Sequence, residues 1–140
     1  LYGLAATRAK GNFVETMLRL SDTRPEIRVV SDQRCTPSYT ADVAAAIAAL
    51  IGTTAYGTYH ATNSGATTWC DLAAELFRIT NRNAKLISIT SAEFGARARR
   101  PAYSVLDCEK LRVTTGLSLP DWRDALARYV AMRSQRGING

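Results

Sequence analysis

The sequence predicts an α/β fold that is short of sheet. Stretches with helical apolar periodicity alternate with short β-rich runs at the spacing of an α/β arrangement. Three short strands are too few to form a self-contained doubly wound sheet for four helices. The opening Leu1-Tyr2-Gly3 reads as the end of a further strand, without an initiator Met or a signal segment. The expectation is therefore a sheet whose remaining strands lie upstream, with 140 residues forming one core.

The elements follow in chain order. Asn12 can cap a first helix whose stripe is Phe13, Val14, Met17 and Leu18. Ile27-Arg28-Val29-Val30, bounded by Pro25, has strand length and β-branched content. Thr40 is the expected cap of a second helix carrying Asp42 in its first turn and the stripe Val43, Ile47, Leu50 and Ile51. Thr58-Tyr59-His60-Ala61, between Gly57 and Asn63, reads as a second strand. Thr67-Thr68 precedes a third helix with Trp69, Leu72, Ala73, Leu76 and Phe77 on one face and Asp71 near its N-terminal dipole. Leu86-Ile87-Ser88-Ile89, ending at Ser91, reads as a third strand, and a loop from Arg97 to Asp107 leads into a helix. Pro120-Asp121 stops one segment and caps a fourth helix with the stripe Trp122, Ala125, Leu126, Tyr129 and Val130; Asp124 stands where a capping-box acid belongs. Residues 1–132 are expected to form the folded unit and 133–140 a polar, fraying tail.

Composition narrows the function classes. With 46% hydrophobic, 21% charged and 8% aromatic residues, the chain is neither disordered nor collagen-like. No apolar run reaches the length of a membrane span, so no membrane partner is expected. The net charge of +6 is spread along the chain, with tight groups only at Arg97-Ala98-Arg99-Arg100 and among Arg128, Arg133 and Arg136. That distribution argues against nucleic acid and for a local anion site. Cys35, Cys70 and Cys108 are odd in number and dispersed, which points to reduced thiols and a cytoplasmic chain.

Catalytic constellations are not visible. The single histidine, His60, sits in an expected strand and reads as a packed residue. No C-x-x-C or H-x-x-x-H spacing offers a metal site, and the nine glycines form neither a P-loop nor G-x-G-x-x-G. The informative segments are polar loops at element borders: Gly11-Asn12-Phe13, Asp32 to Tyr39, and Arg97 to Asp107. Within the last, Arg99-Arg100-Pro101 presents a planar guanidinium fork, suited to phosphate, on a proline-stiffened loop.

Five segments in order carry a resemblance: Asp32-Gln33-x-x-x-Pro37-Ser38-Tyr39-x-x-Asp42-Val43-Ala44, Gly57-Thr58-Tyr59-His60-Ala61, Thr68-Trp69, Arg100-Pro101-Ala102-Tyr103-Ser104-Val105-Leu106-Asp107-x-x-Lys110-Leu111, and Leu119-Pro120-Asp121-Trp122-Arg123-Asp124-Ala125-Leu126. Together they resemble the dTDP-4-dehydrorhamnose reductases, members of the extended short-chain dehydrogenase/reductases, over nearly the whole chain. The resemblance implies the substrate-binding, C-terminal part of a Rossmann-type enzyme whose N-terminal half, with the Gly-rich loop and the Tyr-x-x-x-Lys pair, is not in this sequence. No tyrosine here is followed by Lys four positions on, so no catalytic residue is expected in the chain. NADPH or NADH would be held mainly by the other half, and the substrate would be a dTDP-4-keto sugar reduced to dTDP-L-rhamnose; a homodimer is the implied assembly. By resemblance Arg100 faces the diphosphate, Asn12 and Phe13 border the nucleotide, Gln33, Thr36 and Pro37 cover the substrate, and Tyr103 and Ser104 lie at the rim. Arg34-Cys35 departs from the small residue or Gly common there, which implies a differently shaped loop. Asp107, Lys110 and Leu111 read as packing and capping. The alternatives are a non-catalytic subunit of the same fold, of the kind that regulates methionine adenosyltransferase, and another nucleotide-sugar epimerase or reductase.

Overall fold

The computed structural model describes residues 1–4 and 11–136. Its elements are α1 (Phe13–Thr23), β1 (Glu26–Val30), β2 (Arg34–Cys35), α2 (Thr40–Ile51), β3 (Thr67–Thr68), α3 (Trp69–Ile79), β4 (Lys85–Ile89), α4 (Ser91–Phe94), α5 (Glu109–Thr115) and α6 (Trp122–Gln135). This is the mixed α/β arrangement the periodicities predict, with little sheet among the described residues. β1 and β4 pair in parallel, Ile27 opposite Leu86 and Val30 opposite Ile89, and β2 pairs antiparallel with β3.

The caps explain where the helices start. Asn12 Oδ1 accepts the Glu15 N–H at 3.0 Å, and Thr68 Oγ1 accepts the Asp71 N–H at 3.1 Å, as their side chains predict. One expected cap, Thr40, and one expected capping-box acid, Asp124, are corrected, while Asp121 caps as expected. Thr40 is the first helical residue of α2, behind Tyr39, which caps without a side-chain bond. Asp121 caps α6 through the Arg123 N–H, while Asp124 is drawn outward to Arg128 Nε at 2.8 Å and closes no capping box. The capping box that does form is Thr90 with Glu93 at α4.

The segment Thr58–Ala61 is also corrected: it forms no strand. Among the described residues no backbone ladder reaches it; instead Lys110 Nζ donates to Thr58 O at 3.0 Å and lies over the Tyr59 ring, and His60 Nδ1 meets Asp107 O at 3.1 Å. His60 is accordingly exposed rather than packed. Residues 133–135 continue α6 instead of opening a tail, because Arg133 Nε is tied to Glu15 at 2.9 Å; residues 137–140 lie outside the described set.

α3 lies at the centre. Its buried face of Leu72, Ala73, Leu76 and Phe77 meets Val14, Met17 and Leu18 of α1, Ile27 and Val29 of β1, and Trp122, Ala125, Leu126 and Tyr129 of α6. Tyr2, Tyr39 and Tyr129 close this core with ring centroids 5.2–5.7 Å apart. Tyr2 also makes a parallel bridge with Tyr39, donating to Ser38 O at 3.0 Å and accepting from the Thr40 N–H at 2.9 Å, which agrees with its reading as strand-like. A smaller core joins α2 and α5 through Ala46, Leu111 and Leu119. No helix among the described residues is long and apolar enough to cross a membrane.

Candidate functional site

A groove of about 910 Å³ runs along β1, between α1 on one side and α4 with the loop that follows it on the other. Its size is that of a small-molecule cleft. The start of α1 supplies Phe13, because the Asn12 cap fixes the first turn at that point. Phe13 meets Trp69, the first residue of α3, at 4.9 Å between centroids, and the two rings make one aromatic wall. Phe94 of α4 adds a further apolar surface.

The connection after β1 is fastened to the start of α4. Asp32 accepts the Ser91 N–H at 2.9 and 3.0 Å and the Ser91 hydroxyl at 2.6 Å. Those bonds hold the Asp32 carboxyl below the usual aspartate range. Gln33 Nε2 donates to Ser91 Oγ at 2.8 Å, so the Gln33 side chain is held at the groove edge. Arg100 reaches the same groove from the loop after α4, exposed and in no ion pair among the described residues. Arg24 and Arg28 also border it, with Glu26 and Glu93.

Three of the residues singled out in the sequence, Phe13, Gln33 and Arg100, therefore meet in one groove. The others do not line it. Asn12 spends its side chain on the α1 cap and on Gly3 O and Tyr129 Oη, both at 3.3 Å, facing α6. Thr36 lines a separate hollow of about 290 Å³ with Asn63, Cys108 and Leu111, and its hydroxyl is buried without a partner. Pro37 is buried behind it. Tyr103 pairs with Arg34, and Ser104 donates its N–H to Arg34 O at 2.9 Å, so both belong to the strand-like edge beside β2. Sequence reasoning passed over Arg28, Trp69 and Phe94 as groove residues. Arg28 carried a signal, a charge in the middle of a β-branched run; Trp69 was legible only as part of a helix stripe.

The turns from β2, β3 and β4 into the helices that follow them do not fit a dinucleotide: they contain no glycine, so no backbone cradle for a pyrophosphate is built at those turns. No group of three or more His, Cys, Asp or Glu side chains among the described residues could hold a metal ion.

Residues 1–134 match the model of the RmlD substrate binding domain. A spore coat polysaccharide biosynthesis protein of Bacillus subtilis is 41% identical over 123 residues, which are 88% of this chain and 43% of that protein. A dTDP-4-dehydrorhamnose reductase of Sinorhizobium fredii is 37% identical over 130 residues, 85% of this chain and 44% of that protein. The crystal structure of dTDP-4-dehydrorhamnose reductase from Bacillus anthracis, in complex with NADP, superposes with a TM-score of 0.84 at 37% identity, covering 94% of this chain and 45% of that one. The chain thus spans less than half the length of these relatives. With the family model matched from Leu1 to Ser134 and the fold shared with a solved relative, the chain belongs to the RmlD substrate binding domain family.

Proposed function

We propose that this chain is the substrate-binding, C-terminal part of an NADPH-dependent dTDP-4-dehydrorhamnose reductase, and that the dTDP-4-keto sugar lies in the groove along β1. One observation carries the reading: Phe13, Gln33 and Arg100, far apart in sequence, converge on the same groove. The Arg100 fork engages the diphosphate, where charge-assisted bonds are strong and directional. The Phe13–Trp69 wall takes the flat face of the thymine, and the Gln33 amide, held by Ser91, offers its carbonyl oxygen to a donor on the ligand. Asn12 contributes by fixing the first turn of α1, and hence the direction of Phe13. Thr36 and Pro37 support the loop from behind, while Tyr103 and Ser104 hold the β2 edge. Hydride and proton transfer belong to the half of the enzyme that carries the Gly-rich loop and the Tyr-x-x-x-Lys pair. Three free, unpaired cysteines are in keeping with a cytoplasmic enzyme.

Calorimetric titration of dTDP into the full-length enzyme tests this. Arg100→Ala is expected to weaken binding by ~1.5–3 kcal/mol, the range for a hydrogen bond to a charged group. An unchanged dissociation constant would remove Arg100 from the site.

A further inference from the structure

Arg28 occupies the middle of β1, opposite Ile87 of β4, and is exposed while Ile27 and Val29 on either side are buried. A strand position of this kind fixes the backbone on which the side chain is mounted, and Arg28 borders the same groove as Arg100. Its fork is unspent: among the described residues Arg28 makes no ion pair and no side-chain hydrogen bond. The two carboxylates that border the groove are committed elsewhere. Glu26 is paired with Lys85 at 3.0 Å. Glu93 Oε2 accepts the Thr90 N–H at 2.7 Å and the Thr90 hydroxyl at 2.8 Å. Those Thr90 bonds hold the Glu93 carboxyl below the usual range, with a smaller contribution from the Arg28 charge, and Arg28 and Glu93 border the groove together.

The charges in the groove are therefore unequal. Arg24, Arg28 and Arg100 face two carboxylates, one of them already neutralised by Lys85. A sugar nucleotide carries two negative charges on its diphosphate, and Arg100 answers only one of them. We propose that Arg28 is a second anion-binding residue of the groove, its guanidinium engaging the diphosphate from the β1 side while Arg100 engages it from the loop side. The proposal rests on the reading of this groove as the dTDP-sugar site. A cation mounted on a paired strand locates the diphosphate, and one on the Pro101-stiffened loop closes over it.

The test is calorimetric titration of dTDP, with thymidine as the uncharged control, into the full-length enzyme and its Arg28→Gln and Arg28→Lys variants, each shown by thermal unfolding to be folded. Arg28→Gln is expected to weaken dTDP binding at least tenfold, to leave thymidine binding unchanged and to make dTDP binding less sensitive to salt. Arg28→Lys should fall between, since it keeps the charge and loses the fork. Two results overturn the assignment while leaving the groove intact as the site: dTDP binding by Arg28→Gln as tight as by the parent enzyme, or equal losses for dTDP and thymidine. Failure of the parent enzyme to bind dTDP would overturn the groove reading itself, and this inference with it.

Discussion

Asn63 is almost wholly buried and uses both ends of its amide: it accepts the Tyr39 N–H at 2.8 Å and donates to Asp42 Oδ2 at 2.7 Å and Pro120 O at 3.0 Å. Asp42 in turn receives two parallel bonds from Arg128, both at 2.8 Å. Burial pushes the Asp42 carboxyl up, but the bonds from Arg128 and Asn63 and the Arg128 charge outweigh it and leave the group below the usual aspartate range. A carboxyl with a depressed folded-state value contributes stability that is present above its unfolded value, near 3.9, and is lost as the pH falls through the folded value. Asp42→Asn is therefore expected to cost about 2 kcal/mol at neutral pH, a hydrogen-bonded charge pair discounted for the partly exposed Arg128, and to flatten the loss of stability below about pH 4. Urea unfolding between pH 3 and 7 would measure both; an unchanged acid limb would show that Asp42 does not titrate as described. In the sequence Asp42 was legible as a first-turn acid, but its partner was not. Arg128 lies 86 residues away and read only as part of a basic group near the end of the chain. The same holds for the groove: an Arg–Pro pair in a loop announces itself, whereas Arg28 showed only as a charge within a β-branched run, and its place in a groove beside α4 was not legible.

Helix α3 touches α1, β1, β4 and α6, so its starting point sets the register of the whole core. Thr68→Ala removes the acceptor of the Asp71 N–H and should cost about 1 kcal/mol, while Thr68→Ser should retain most of that stability. Chemical denaturation of the two variants checks this, and equal losses would show that the hydroxyl is not the active part. α1, α3 and α6 were legible because a buried stripe repeats over two turns or more, whereas the stripe expected of α2 is not its buried face: Ile47 and Ile51 are exposed, and the buried residues are Asp42 and Ala46, the latter packed against α5. α4 is four residues long and shows no periodicity, though its Thr90–Glu93 box was written in the sequence. β2 and β3 are two residues each, too short for alternation to register. Thr58–Ala61 failed in the opposite sense. It has the composition of a strand, but a ladder is a property of two segments, and among the described residues no second one lies beside it.

As a whole, the molecule presents a groove with cationic and aromatic walls, and its turns from β2, β3 and β4 into helices contain no glycine. The purified chain of 140 residues is accordingly expected to show no NADPH oxidation with the dTDP-4-keto sugar. Absorbance of the reduced nicotinamide would follow it, and measurable turnover would overturn the assignment of the chemistry to the other half. The tyrosine cluster carries a different consequence. Tyr2 and Tyr129 stand near opposite ends of the sequence, yet their rings meet edge to face, and Tyr129 also bonds Asn12 and Glu15 of the first helical turn. A core closed in this way has a high contact order, and such chains fold slowly because distant segments must meet before burial rewards them. During synthesis, the part of the α3 face that Trp122, Ala125, Leu126 and Tyr129 cover stays open until α6 has left the ribosome. Among the described helices α6 is the one that completes this core, so apolar surface of the nascent chain stays open to aggregation until that helix is made.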